Sequence, residues 1–396
     1  MAISRLTPRI QPYAWGSTTA IPDLLGLAPS GAPQAELWLG AHPAAPALVN
    51  GDGTLADVVA AGPDRALGPE VARAYGGRLP FLLKVLATAE PLSLQAHPSR
   101  AQAAKGFARE EAAGTPIDDP RRLYRDDNHK PELICALTPF SALCGFRDPR
   151  LSAALLEGLS VPALAPLLGM LSGGAEGLRD AVRHLLGRPD TGLVAGVAAA
   201  CARPDSDPRF AAERGWAVRL AEHYPGDPGV VVALLLNFVE LAPDEAIELP
   251  AGNLHSYLEG VGVEIMSSSD NVLRGGLTPK HVDVDELLAV LDTTPMEVVR
   301  LRPRPVTAGV EIWDSAAAEY RLTRLSPAGA ALAIEPHGPE VVLVTEGNLA
   351  VDDADERIEL ARGQAVFVAG STSSYRVTGH GVAYRATVGG PVGSPV

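Results

Sequence analysis

A glutamine and a histidine stand two residues apart in Leu94-Gln95-Ala96-His97. Residues at that spacing on an extended strand project from one face, so an amide oxygen and an imidazole can reach a common point. A lone strand histidine is more often a satisfied core residue than a ligand, so the pair needs partners elsewhere in the chain. His255 follows Pro250-Ala251-Gly252-Asn253, where glycine and asparagine can make the turn that delivers a side chain to a barrel interior. Glu132 enters the otherwise apolar run Glu132-Leu133-Ile134-Cys135, and a buried carboxylate needs a partner, most economically a cation. Two imidazoles, one carboxylate and one amide oxygen suit Zn²⁺, with room left for a water or a substrate oxygen.

The elements that must position these residues are mostly strands. FLLKVLAT (Phe81 to Thr88) and LSLQAH (Leu92 to His97) read as buried strands around a turn at Ala89-Glu90-Pro91, and Pro98-Ser99 opens a helix. Short helices are expected at Leu55 to Ala60 and Pro69 to Ala74. His129 to Phe146 reads as strand, turn, strand. Residues 150–236 instead carry apolar residues at three- and four-residue spacing, as in AEGLRDAVRHLLG, and predict a helical insertion. From Asn237 the strand pattern returns with regular proline and glycine, as in an antiparallel barrel, and a helix over Val284 to Leu291 precedes a final strand-rich region. Leu241 to Tyr257 and Leu360 to Tyr375 share the order of their apolar residues, an Ala-Gly step and a final tyrosine. They suggest two copies of one jelly-roll unit. Ser373 fills the position of His255 in the second copy, which could not bind a metal by the same residue.

Composition limits the partners. The chain has 396 residues, enough for two or three domains, and a net charge of −14. That charge disfavours nucleic acid and repels anionic ligands, so any phosphate site must concentrate its few cations locally. Cys135, Cys144 and Cys201 lack CxxC spacing, which argues against disulfides and a thiolate zinc site and fits a reducing cytoplasm. The N-terminus has no apolar signal core, and no stretch reaches the roughly 18 apolar residues of a spanning helix, so no membrane partner is expected.

Six segments carry a resemblance: QPYAWGS (Gln11 to Ser17), ELWLGAHP (Glu36 to Pro43), PLSLQAHPS (Pro91 to Ser99), DDNHKPE (Asp126 to Glu132), LPAGNLHSYLEG (Leu249 to Gly260) and SSDNVLRGGLTPKHVD (Ser268 to Asp283). In sequence order, they resemble the signature segments of type I mannose-6-phosphate isomerases. The likeness spans roughly the first 150 residues and Asn237 to about Leu291. It implies a mainly β fold of two cupin-type jelly-roll units with an inserted α-helical domain. The units expected are residues 1–149 with 237–300 as the catalytic part, 150–236 as the insertion, and 301–396 as a C-terminal jelly roll without metal ligands. It also implies one zinc ion per chain, held by Gln95, His97, Glu132 and His255, and exchange of mannose 6-phosphate with fructose 6-phosphate through an enediol(ate).

Within that resemblance Arg274, in DNVLRGG, matches the family's catalytic arginine. A guanidinium is a poor base, so its expected work is orienting substrate and stabilising charge. Candidates for acid and base work are His129, Lys130, Lys84 and Asp270. Lys84 interrupts an apolar strand and is expected in the pocket. Ser93 shares a face with Gln95, and Tyr257 with His255; both are expected to hydrogen-bond the sugar or shape the pocket. Lys130 and Arg274 are candidates for the phosphate. The expected partner is a small sugar phosphate and the expected state a monomer. The alternatives are a zinc-bearing, non-catalytic sugar-phosphate binder and an isomerase of another sugar phosphate.

Overall fold

A computed structural model of the chain describes residues 2–51, 53–204 and 207–390. Two antiparallel sheets dominate it. The first is organised around the thirteen-residue strand His255–Ser267. The second half of this strand lies between Phe81–Thr88 and Glu132–Ala136, and its first half pairs with Phe140–Phe146. Phe81–Thr88 is buried along its whole length, as its unbroken apolar run requires of a strand covered on both faces. In this register Glu264 stands opposite both Lys84 and Ile134, and Lys84 opposite Trp38 of Glu36–Leu39. Directly opposed residues share a face of the sheet, so one row carries an acid, a lysine and an indole into the interior.

The stretch expected as a strand over Leu92 to His97 is a strand only at Gln95–Ala96. Pro91 and Pro98 bracket it without N–H donors. Its amides bond in different directions, Leu92 to the Tyr257 carbonyl at 2.9 Å and Leu94 to the Gly276 carbonyl at 3.1 Å. The short strand thereby sits between two others, with Gln95 opposite both His255 and Arg274. Ser99 then starts the helix Arg100–Ala112 with a reciprocal cap shared with Gln102, a device worth about 1 kcal/mol.

Between Phe146 and Leu236 the chain is helical, from Pro149–Gly158 to Gly229–Ala233. Leu178, Val182, Trp216 and Val231 of these helices share a core with Leu94, Leu254, Leu273 and Leu277. The helical layer thus backs the strands that carry Gln95, His255 and Arg274. No helix among the described residues is long and apolar enough to cross a membrane.

The second sheet is built on the long pair Glu340–Asp352 and Tyr375–Thr387, and the N-terminal strand Ile3–Thr7 joins it beside Ala365–Val368. The two sheets meet over one apolar core, with Leu37, Leu83 and Val263 from the first against Val341, Phe367 and Tyr384 from the second. Their ladders repeat. Glu132 stands opposite Leu249 and Met266, and Glu340 stands opposite Val368 and Thr387. Two places along, Ile134 faces Glu264 while Val342 faces Arg385. Glu340 therefore takes the place of Glu132, and Arg385 that of Glu264. Glu340 is fully buried and accepts from Arg385 Nη2 at 2.6 Å and from the Tyr375 hydroxyl at 2.5 Å. In this sheet the buried carboxylate is answered by a guanidinium of the same sheet.

Candidate metal centre and active site

His97, Glu132 and His255 converge, with one ligand-capable atom from each within 4.8 Å of the others and all three side chains buried. The turn that delivers His255 needs its glycine. Gly252 has φ +78, and a β-carbon there would come within 3.0 Å of the Val290 carbonyl oxygen. Each histidine is oriented from behind, His97 Nδ1 lying 2.7 Å from the Asn271 carbonyl and His255 Nδ1 3.0 Å from that of Asn253. A carbonyl only accepts, so each Nδ1 carries the proton and each Nε2 a bare lone pair. Both Nε2 atoms stand 3.4 Å from Glu132, one at each oxygen, and both are buried without an aligned hydrogen bond. Burial, and then the Lys130 ammonium, push the His97 pKa down to about 4. Lone pairs aimed at a carboxylate repel it, and a buried polar atom without a partner costs about 1–3 kcal/mol. A divalent cation among the three relieves both penalties, and a set of two nitrogens and a carboxylate fits zinc. Gln95 is half-buried on the strand opposite His255.

Around this centre lies a buried network of charge. Lys130 Nζ donates to Glu132 Oε1 at 2.8 Å. Lys84 Nζ sits 3.4 Å from Glu36 and 3.3 Å from Glu264, above the Trp38 ring. The Trp38 indole donates to Glu36 at 2.5 Å and the Tyr257 hydroxyl to Glu264 at 3.0 Å. Burial alone would lower the Lys84 pKa, but Glu36, Glu264 and Glu132 together raise it, so the ammonium stays charged. Burial raises the Glu264 carboxyl. The charge of Lys84 and the hydroxyl of Tyr257 are thus already engaged by neighbours. Three buried carboxyls face two ammoniums here, an interior with capacity for further positive charge. Ser93 is half-buried on the approach to Gln95.

The rim is formed where DDNHKPE locks onto SSDNVLRGG. Buried Asn271 accepts from the Arg125 amide at 2.7 Å and donates to the Asp126 and Asn128 carbonyls, each at 2.8 Å. Asp126 in turn accepts from Ser269 Oγ at 2.8 Å and the Asp270 amide at 2.7 Å. This clasp brings Lys130 and Asp270 to one edge of the centre. The ring of His42, buried against Trp38, accepts from the Ala44 amide at Nδ1 and so presents Nε2–H to Asp270 at 3.3 Å. Burial acts to raise the Asp270 carboxyl, yet the His42 hydrogen bond and the Lys130 and Lys84 charges hold it below its usual value. His129 Nε2 bonds Glu319 at 2.8 Å.

Arg274 is half-buried, and burial followed by the Arg125 charge lowers its pKa. Lys280 is lowered by burial and by both arginines. Among the described residues no carboxylate forms an ion pair with Arg125, Arg274 or Lys280. In a chain of net charge −14, these three cations are a local concentration of positive charge.

Reasoning from the residue pattern missed Glu36, His42, Arg125, Glu264, Lys280 and Glu319. Glu36 and Glu264 could have been found, because each interrupts an apolar strand just as Glu132 does. Arg125 and Lys280 lie in or beside quoted motifs. Glu319, in an alanine-rich segment, gave no signal.

Comparison with known proteins agrees with this geometry. The family described as "Phosphomannose isomerase type I, catalytic domain" matches residues 3–149. The mannose-6-phosphate isomerase of Escherichia coli strain K12 is 37% identical over 392 residues, covering 96% of this chain and 98% of that protein. The enzyme of the same name from Macaca fascicularis is 31% identical, covering 94% and 95%. A crystal structure of mannose 6-phosphate isomerase from Salmonella typhimurium, bound to its substrate fructose 6-phosphate and a zinc atom, superposes with a TM-score of 0.90. It is 34% identical and covers 98% of this chain and 100% of that one. With likeness running over nearly the whole length and a buried His-Glu-His centre on the same fold, the chain belongs to the type I phosphomannose isomerase family.

Proposed function

We propose that the chain interconverts mannose 6-phosphate and fructose 6-phosphate by moving a proton between C1 and C2 of the open-chain sugar through an enediol(ate). The observation that carries this reading is the pair of buried, unpartnered imidazole nitrogens facing Glu132. Zinc, one ion per chain held by His97, Glu132, His255 and Gln95, supplies Lewis acidity toward the oxygens on C1 and C2.

The remaining work falls to side chains. Lys130 holds Glu132 in place through its ammonium. Asp270, kept as a carboxylate by the proton on His42 Nε2, is an acceptor at the edge of the centre. His129, with Nε2 bonded to Glu319, keeps the opposite nitrogen for proton exchange. These groups form the proton-handling set. Lys84 and Tyr257 act from behind, fixing Glu36 and Glu264 in the buried network. The buried thiols of Cys135, Cys144 and Cys201 support a cytoplasmic setting. We read the protein as a monomer.

Arg125, Arg274 and Lys280 hold the phosphate, with Arg274 the member nearest the ligand strand because it pairs with Gln95. A phosphate contact far from C1 and C2 binds ground state and transition state alike. Lys280→Ala should therefore raise KM for mannose 6-phosphate about 10-fold and leave kcat within about 3-fold. Steady-state turnover of the purified protein checks both points. A parent protein that binds zinc and mannose 6-phosphate without producing fructose 6-phosphate would sink the enzyme reading. A Lys280→Ala loss confined to kcat would sink the phosphate assignment.

A further inference from the structure

Glu319 comes from far along the chain to reach the active-site rim. The segment from Trp313 to Tyr320 connects two strands of the second sheet, Val310–Ile312 and Arg321–Leu325, without regular structure of its own. It is pinned across the boundary between the sheets at several points. Trp313 Nε1 donates to the Asp244 carbonyl at 3.0 Å, Ser315 Oγ to Glu248 at 2.6 Å, and the Tyr75 hydroxyl to the Ala318 carbonyl at 2.9 Å. So held, the segment delivers Glu319, 3% exposed, to His129 Nε2 at 2.8 Å and Arg100 Nη2 at 2.5 Å.

The chemistry of that contact is directional. A carboxylate can only accept and a guanidinium can only donate, and both Glu319 and, at 2.9 Å, Arg100 Nη2 lie against His129 Nε2, so together they hold the ring from its Nε2 side with Nδ1 turned away. Burial acts to raise the Glu319 carboxyl, but the hydrogen bond and charge of His129, with the charge of Arg100, keep it ionised. Arg100 is 57% exposed at its side chain, so water screens much of its share, whereas the His129 bond lies largely inside. The backbone of His129 is fixed separately, its carbonyl accepting from Ser267 Oγ at 2.5 Å. Main chain and ring of this one residue are thus held by different sheets.

We propose that Glu319 is a positioning residue for the isomerase reaction, a second-sheet carboxylate that sets the orientation of the His129 ring. The inference rests on the reading of His129 as part of the proton-handling set. It makes the second sheet, whose own buried Glu340 is answered by the Arg385 guanidinium, a direct contributor to the active site.

A double-mutant cycle tests it. Glu319→Gln should lower kcat on the order of 10-fold with KM for mannose 6-phosphate within about 2-fold, since an orienting partner typically contributes 10- to 100-fold. Zinc content and melting temperature should match the parent. His129→Asn should lower kcat at least as much, and adding Glu319→Gln to it should cost nothing further. If Glu319→Gln does not fold, Glu319→Asp, which keeps the charge and shortens the reach by one methylene, is measured in the same cycle. Equal losses in both backgrounds, or a fall in melting temperature with kcat unchanged, would reduce Glu319 to a structural residue. A silent Glu319→Gln beside a damaging His129→Asn overturns the positioning role alone. A silent His129→Asn overturns the assignment of His129 beneath it.

Discussion

Glu132→Gln should strip the protein of zinc and of turnover together while leaving it folded. The substitution keeps the shape of the side chain but removes the only negative charge facing the two Nε2 lone pairs. The new amide N–H can donate to one of them, satisfying an atom that otherwise has no partner. Metal-free protein therefore has its reason to bind a cation weakened, while the Lys130 ammonium, paired with Glu132 at 2.8 Å in the parent, loses its carboxylate, which should lower the melting temperature. Loss of a ligand exceeds the 10- to 100-fold effect of losing a ligand's outer partner, so zinc affinity should fall by more than about 100-fold. Turnover should fall by about 1000-fold or more, since the Lewis acid goes with it. Zinc content after dialysis, read beside initial rates, checks both. A variant that keeps a full complement of zinc and works within tenfold of the parent would show that Glu132 is not a ligand.

Arg385→Met should be the most destabilising change in the second sheet, although it lies outside the proposed metal centre. Arg385 is 3% exposed and Glu340 fully buried, with a 2.6 Å contact between them. Removing the guanidinium leaves a carboxylate in a dry interior with only the Tyr375 hydroxyl to answer it. Breaking a buried pair from one side costs about 3–5 kcal/mol, whereas replacing both members with neutral groups is often close to neutral. The double variant Arg385→Met with Glu340→Gln should therefore recover most of the loss, because the amide still accepts from Tyr375. Denaturant midpoints of the two variants and the parent decide this. A single variant as stable as the parent would mean that Glu340 takes a proton instead of needing its partner.

The proposed metal centre was legible because its candidate ligands are marked locally. Gln95 and His97 show strand spacing, Glu132 breaks an apolar run, and Pro250 to Asn253 announces the turn before His255. The fold class was legible for a related reason, since period and length separate the helical residues 150–236 from the strands on either side. What pattern could not reveal is how strands are aligned. The Lys84 partners follow from a register that puts it opposite both Glu264 and Trp38, and no local property of Lys84 encodes that register. The strand expected over Leu92 to His97 shrank to two residues because its amides are shared between two partners set by topology. Ile3–Thr7 pairs with Ala365–Val368, a contact more than 350 residues long that no window of sequence contains. His129 meeting Glu319 is the same kind of fact. The repeat of Leu241 to Tyr257 in Leu360 to Tyr375 pointed to a second jelly roll and to Ser373 in the place of His255. That Glu340 stands in the place of Glu132, with Arg385 in that of Glu264, emerged only from the paired ladders.

The most direct test of the account is the zinc content of the purified protein with its rate of conversion of mannose 6-phosphate to fructose 6-phosphate, before chelation, after it, and after zinc is returned. The account predicts about one zinc per chain, loss of turnover when it is removed, and recovery on its return, with no recovery in His255→Ala. Full turnover by zinc-free protein, or full zinc occupancy without turnover, would contradict it.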